Sequence, residues 1–154
     1  MKKVLALSLL CVMICGMVFC LPVSAVTDEK TETYVEVLEN GDKIRTTITY
    51  YEDNTRAATK SGSKTRDYLN ADNEVMWSLT VHGTFTYNGT TSSCTSASRS
   101  TAVYGSQWSI KSSSASKSGN CATATAVAVK KNVIGSSEYT ASVNLYCSPY
   151  GILS

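Results

Sequence analysis

The stretch Glu74–Tyr87, with the sequence EVMWSLTVHGTFTY, decides how this chain folds. Apolar side chains occupy most of its odd positions, from Val75 and Trp77 to Phe85, and polar side chains occupy most of its even positions. An alternation of period two is typical of a β-strand with one buried and one solvated face. The stretch therefore predicts a sheet protein whose core lies against the odd face of this strand.

Turn signals divide much of the remaining chain into hairpins. Pairs that contain glycine next to asparagine or serine favour tight β-turns between antiparallel strands. The turn pairs are Asn40-Gly41, Asn88-Gly89 and Ser118-Gly119. The further strands that they predict are Thr33–Glu39, Asp42–Tyr51, Trp108–Lys117 and Asn120–Val133, and alternation alone adds Tyr139–Cys147. Residues 52–63 are expected to be a loop or linker. The fold class is therefore all-β, an antiparallel β-sandwich with an N-terminal β-hairpin.

The hairpin turns also predict which residues lie opposite each other. The expected pairs are Phe85 with Ser92, Gly83 with Cys94, Trp108 with Val129 and Ile110 with Val127. This register turns Cys94 and Cys121 inward, whereas a slip by one residue would set Trp108 against the charged Lys130 and turn the partner strand over. The core is expected to contain Trp77, Phe85, Trp108, Val127, Val143 and Leu145.

The first 25 residues have the pattern of a secretory signal peptide. Lys2 and Lys3 precede the apolar run Val4–Leu21, and Val23-Ser24-Ala25 supplies small residues for cleavage between Ala25 and Val26. A permanent membrane helix is the alternative, but such an anchor seldom ends in this cleavage pattern. We expect a secreted, extracellular protein of bacterial origin with no membrane span after cleavage.

Cleavage leaves an acidic segment at residues 26–58 and a sandwich domain at residues 59–154. The mature chain carries 12 basic and 12 acidic side chains; residues 26–74 hold 7 basic and 11 acidic ones, and residues 75–154 hold 5 and 1. The uneven charge suggests either that the two halves dock on each other or that the molecule is electrically polarised. Neither half has the basic density of a nucleic-acid-binding protein.

Three cysteines remain after cleavage: Cys94, Cys121 and Cys147. The spacing of Cys94, Trp108 and Cys147 resembles the immunoglobulin-like sandwich, in which a tryptophan packs against a bridge between the two sheets. The chain departs from that family at Leu145, where the family has tyrosine. The resemblance implies a Cys94–Cys147 disulfide with Cys121 as a free thiol. A Cys121–Cys147 bridge and three reduced thiols remain open alternatives.

The chain is also similar to small, uncharacterised secreted proteins of Gram-positive bacteria. The similarity covers residues 59–154 and implies no particular function. The segments that carry it are Thr59-Lys60-Ser61-Gly62-Ser63-Lys64-Thr65, Val81-His82-Gly83-Thr84-Phe85-Thr86-Tyr87-Asn88-Gly89, Ala115-Ser116-Lys117-Ser118-Gly119-Asn120 and Cys147-Ser148-Pro149.

The sequence presents no set of residues that a known reaction requires. His82 is the only histidine and falls on the polar face of its strand, and the cysteines are too far apart in sequence for a zinc pattern. We therefore expect no catalytic residues, no cofactor and no metal, and a protein that is not an enzyme. Trp77, Trp108, Tyr87 and Tyr139 are expected in the core, which leaves Tyr104, Tyr146 and Tyr150 as surface aromatics that could contact a sugar.

These observations favour a secreted, non-catalytic β-sandwich protein. Its expected partner is an extracellular macromolecule or a component of a cell envelope, whose identity the sequence does not specify. A secreted antimicrobial or toxin-like protein is the alternative, because small size, export and charge polarity also permit that role.

Overall fold

The computed structural model describes residues 28–52 and 58–154, and within these ranges all regular structure is β-strand. The predicted cleavage site at Ala25 and Val26 lies outside the described residues. No helix in the described part of the chain is long and apolar enough to cross a membrane. The eight strands are β1 (Asp28–Val37), β2 (Lys43–Glu52), β3 (Thr59–Leu69), β4 (Val75–Tyr87), β5 (Ser92–Val103), β6 (Trp108–Ser118), β7 (Cys121–Asn132) and β8 (Gly135–Tyr146).

The strands form two antiparallel sheets, which confirms the predicted all-β sandwich. One sheet has the order β1-β2-β3-β4-β5 and the other the order β6-β7-β8. Every pairing joins consecutive strands, so the connections are those of two meanders, whereas immunoglobulin domains use Greek-key connections. The N-terminal hairpin β1–β2 continues the larger sheet, because β2 pairs with β3. The prediction of a loop over residues 52–63 is wrong from Thr59 onward, where β3 begins.

The core lies between the sheets, on the face of β4 that the alternation predicts. Trp77, Leu79, Val81 and Phe85 are fully buried there. The smaller sheet contributes Val143, Leu145 and Cys147 from its β8 side, together with a row of four buried alanines on β7: Ala122, Ala124, Ala126 and Ala128. Large side chains on β4 thus face small ones on β7, which allows the two sheets to pack closely.

The predicted register between β4 and β5 is wrong by two residues next to the turn, and by three beyond a β-bulge at Thr95, where Gly83 lies opposite Ala97 rather than Cys94. Phe85 lies opposite Cys94, and Tyr87 lies opposite Ser92, because the turn spans four residues rather than two. The Asn88 side chain stabilises the longer turn by accepting hydrogen bonds from the backbone of Thr90 and Thr91 at 3.0 and 2.8 Å. A shift of two residues leaves a side chain on the same face, so Cys94 still points inward, as predicted.

The predicted register between β6 and β7 is also wrong, and here the faces of β7 are reversed. Trp108 lies opposite Lys130, and Ile110 lies opposite Ala128. A β-bulge at Lys111 adds one residue to β6, so Trp108 can face inward while β7 turns its alanines to the core. The charge of Lys130 is accommodated because its Nζ lies over the Trp108 ring, 5.6 Å from the ring centroid.

The reversal moves two predicted core positions to the outside of the sandwich. Val127 and Cys121 lie on the outer face of β7 and are half-buried, which corrects their expected inward orientation. Trp77, Phe85, Val143 and Leu145 are buried as expected, and Trp108 packs against their cluster while remaining half-buried.

Candidate binding cleft

A cleft of about 650 Å³ opens at the end of the sandwich where β4 begins. Three connections line it: the turns between β1 and β2 and between β3 and β4, and the loop between β5 and β6. We call this feature the end cleft. Its lining includes four aromatic side chains, Tyr68, Tyr104, Trp108 and Tyr139, whose positions in the sequence span some 70 residues.

A chain of aromatic rings forms the floor of the end cleft. Tyr68 stacks on the fully buried Trp77 with parallel planes and ring centroids 4.1 Å apart. The ring centroids of Trp77 and Trp108 are 6.3 Å apart, and those of Trp108 and Tyr139 are 5.0 Å apart. Offset and tilted ring contacts at these distances are favourable. The buried Trp77 therefore anchors the rings that the cleft exposes.

The indole nitrogen of Trp77 is buried and has no hydrogen-bond partner among the described residues. A buried donor without a partner is costly. Contacts with Tyr68 and Trp108 hold this indole in place, so its position depends on ring packing.

Backbone hydrogen bonds hold the β5–β6 loop against the floor. The amides of Tyr104 and Gly105 both donate to the carbonyl of Met76, at 2.9 and 3.0 Å. The amide of Trp108 then donates to the carbonyl of Gly105 at 2.9 Å. A side chain at Gly105 would place its Cβ 2.7 Å from Trp108 Cδ1, so glycine permits the close approach. The rim is therefore well supported before any ligand arrives.

Polar side chains on the two neighbouring turns complete the rim. Asp42 accepts a hydrogen bond from the side chain of Asn40 at 2.8 Å, and Glu74 accepts one from the side chain of Asn70 at 2.9 Å. Lys130 adds a positive charge above Trp108. The end cleft thus combines exposed ring surface with amide, carboxylate and ammonium groups, a combination common in sites for small polar molecules with apolar faces.

His82 lies far from this cleft, on the outer face of the larger sheet. It is exposed, as predicted, and its Nε2 lies 3.2 Å from the hydroxyl of Ser100. A shallow groove on this face brings His82 near Glu29 and Tyr51 and several hydroxyl groups. The described residues contain no group of three or more His, Cys, Asp or Glu side chains that could hold a metal ion.

The three cysteines in the described part of the chain divide between the two faces of the sandwich. Cys94 and Cys147 are buried on the inner face, with 6% and 0% exposure. Cys121 lies opposite Tyr146 on the outer face, and a hydrogen bond between the two side chains raises the pKa of Tyr146. All three thiols are free in the structure.

The surface aromatics predicted from the sequence separate in space. Tyr104 is 67% exposed and lines the end cleft, whereas Tyr150 is 75% exposed and lies near the opposite end of β4. Tyr139, expected in the core, is 44% exposed at the cleft. The role of Tyr68 could not be predicted because none of β3 was predicted as a strand: residues 52–63 were expected to be a loop, and no strand was assigned between them and Glu74. In the structure, Tyr68 lies opposite Trp77 across the β3–β4 hairpin.

Comparison of the chain with family models, curated proteins and solved structures found no match.

Proposed function

We propose that this is a secreted, non-catalytic binding protein that holds a saccharide chain of a cell envelope or extracellular polymer in the end cleft. The observation that carries the proposal is the chain of rings from Tyr68 to Tyr139, which one buried indole supports from below. Export is supported by the pattern of residues 1–25.

A saccharide matches the two kinds of surface in the end cleft. Sugar rings present C–H faces that pack on aromatic side chains, and their hydroxyl groups bond to amides and carboxylates. Trp108 and Tyr104 offer the first kind of surface, and Asn40, Asn70 and Gln107 lie among the lining residues that offer the second.

Support of the rim before binding favours affinity. The loop that carries Tyr104 is tied to Met76 and Trp108 through backbone hydrogen bonds. A site that is already ordered loses less conformational entropy when a ligand binds. Lys130, whose Nζ lies over the Trp108 ring, adds hydrogen-bond donors for sugar hydroxyl groups beside that ring.

Binding can be measured directly with the protein lacking its predicted signal peptide. Trp77 and Trp108 are the only tryptophans, and both belong to the ring chain, so intrinsic fluorescence reports occupation of the cleft. We expect retention on insoluble peptidoglycan or on a neutral polysaccharide, with a fluorescence change on titration of soluble fragments.

The discriminating variant is Tyr104→Ala, with Tyr150→Ala as its matched control. Both tyrosines are largely exposed, but only Tyr104 lines the cleft. We expect Tyr104→Ala to weaken binding about tenfold, the effect of losing an aromatic anchor, and Tyr150→Ala to leave it unchanged. Equal binding by both variants, or no retention on any polymer, would refute the proposal. Turnover of a polymer that His82→Ala abolishes would point to an enzyme instead.

A further inference from the structure

The tip of the β7–β8 hairpin exposes two aliphatic side chains completely. Val133 and Ile134 connect the paired residues Asn132 and Gly135, and their relative exposures are 105% and 99%. The other exposed large apolar side chains of the described residues reach 75% at most. This apolar pair, which we call the tip, therefore contributes nothing to the core.

Neither turn formation nor solubility accounts for the residues at the tip. Two-residue hairpin connections favour Asn, Gly, Asp and Ser, because these residues adopt the turn conformations readily. Branched aliphatic residues are poor choices there, and complete exposure gives no compensating burial. A segment that departs from local preference without a structural gain is a candidate for an external contact.

Positive charge surrounds the base of the tip. Lys130 and Lys131 precede the tip, separated from it by Asn132, and their partners across the hairpin are the neutral Ser137 and Ser136. On the hairpin itself, the carboxylate of Glu138 is bound by Lys111, at 2.6 Å. The carboxylates of Asp42 and Glu74 lie on the turns of the larger sheet, at the rim of the end cleft. The hairpin therefore presents an apolar apex above a cationic base.

We propose that the tip inserts into the interface of a lipid bilayer that carries anionic headgroups. Aliphatic side chains gain by leaving water for the boundary between headgroups and acyl chains, while lysines beside them attract anionic phosphates. An apolar protein pocket would satisfy the two aliphatic side chains but not the charges at their base.

The tip and the end cleft lie at the same end of the sandwich. The amide of Lys131 donates to the carbonyl of Gln107 at 2.8 Å, which ties β7 to the loop that carries Tyr104. Val133 is two residues beyond Lys131, a rise of about 7 Å. A protein seated by its tip would hold the end cleft close to the membrane surface, with exposed Tyr104 at headgroup level.

The test is sedimentation with large unilamellar vesicles. Vesicles of equal parts phosphatidylcholine and phosphatidylglycerol should bind the protein, and binding should weaken as salt is added. Vesicles of phosphatidylcholine alone should bind it less. The double variant Val133→Ser/Ile134→Ser should lose at least about tenfold in affinity for the anionic vesicles.

The matched control is Tyr150→Ser/Ile152→Ser, which removes two exposed apolar side chains, 75% and 65% exposed, from the opposite end. It should bind anionic vesicles like the unchanged protein. Lys131→Gln should retain the fold and reduce the dependence of binding on salt. Circular-dichroism melting of each variant separates loss of binding from loss of structure.

Failure of the unchanged protein to bind anionic vesicles would overturn the inference, as would equal binding by the tip variant. Loss of a dimer in the tip variant, seen by size-exclusion chromatography, would assign the tip to a second copy of the chain and also overturn it. The polysaccharide experiments contain no lipid, so failure here leaves the proposed saccharide site standing on its own test.

Discussion

Oxidation of the protein should join Cys94 to Cys147 and leave Cys121 free. Both partners face the interior, one from each sheet, and their backbones meet the same β6–β7 turn. The amide of Cys94 donates to the carbonyl of Gly119 at 2.7 Å, and that of Cys147 donates to the carbonyl of Asn120 at 3.0 Å.

The structure argues against the alternative Cys121–Cys147 bridge. Cys121 pairs with Tyr146, and paired residues point to the same face of a sheet. Consecutive residues on a strand point to opposite faces, so Cys147 points away from Cys121. A bridge between these two would require β8 to turn over, which would expose Leu145.

The stabilisation follows from the loop that the bridge would close. A loop of roughly 50 residues corresponds to about 4 kcal/mol on the loop-entropy relation, whose mechanism depends on the model used. For a domain of this size, that free energy corresponds to a fall in Tm of roughly 10–20 °C when the bridge is reduced.

The assay combines thermal melting with peptide mapping. Melting should respond to reductant in the unchanged protein and in Cys121→Ser, and should not respond in Cys94→Ala. Mass spectrometry of a non-reducing digest should recover the Cys94 peptide linked to the Cys147 peptide. A linked peptide that contains Cys121, or three titratable thiols after treatment with glutathione disulfide, would refute the reasoning.

Two further predictions concern the core and its thiols. Gly83→Ala should destabilise the protein by about 1–3 kcal/mol, because the new Cβ would lie 2.6 Å from the ring of buried Phe85. The exposed control Thr86→Ala should change the Tm little. Equal Tm values for the two variants would contradict this prediction. Burial raises the pKa of Cys94 and of Cys147, so alkylation of the reduced, folded protein at these thiols should be slow at neutral pH and should accelerate as the pH rises. Rapid labelling at pH 7 would contradict this prediction.

The strand β4 shows what could be predicted directly from the chain. Its alternation assigned Trp77 and Phe85 to the core and His82 to the solvent, and all three assignments are confirmed. One side of this pattern is clearly more apolar than the other, so a single orientation buries far more surface. The Asn40-Gly41 turn was equally clear and does join β1 to β2.

The strand β7 shows where such prediction failed. Its sequence CATATAVAVK has small apolar residues at even positions and mixed residues, including Val127 and Val129, at odd positions. The face of β7 that carries the valines has the larger apolar side chains, which favours its burial. The large side chains of β4, however, leave space only for the alanines of the other face. The bulge at Lys111, which no local signal announces, then reconciles the inward Trp108 with that arrangement.

The candidate site could be predicted only in part, for the same reason. Tyr104 was recognised as a surface aromatic, but its neighbours Tyr68 and Tyr139 lie in different sheets and far apart in sequence. The sequence by itself determined the strand class, three of the hairpins and the buried face of β4, because these depend on local periodicity and turn chemistry. Only the tertiary structure decided which face of β7 is buried and which rings meet in the end cleft, because both depend on how side-chain volumes from separate strands fill one shared space.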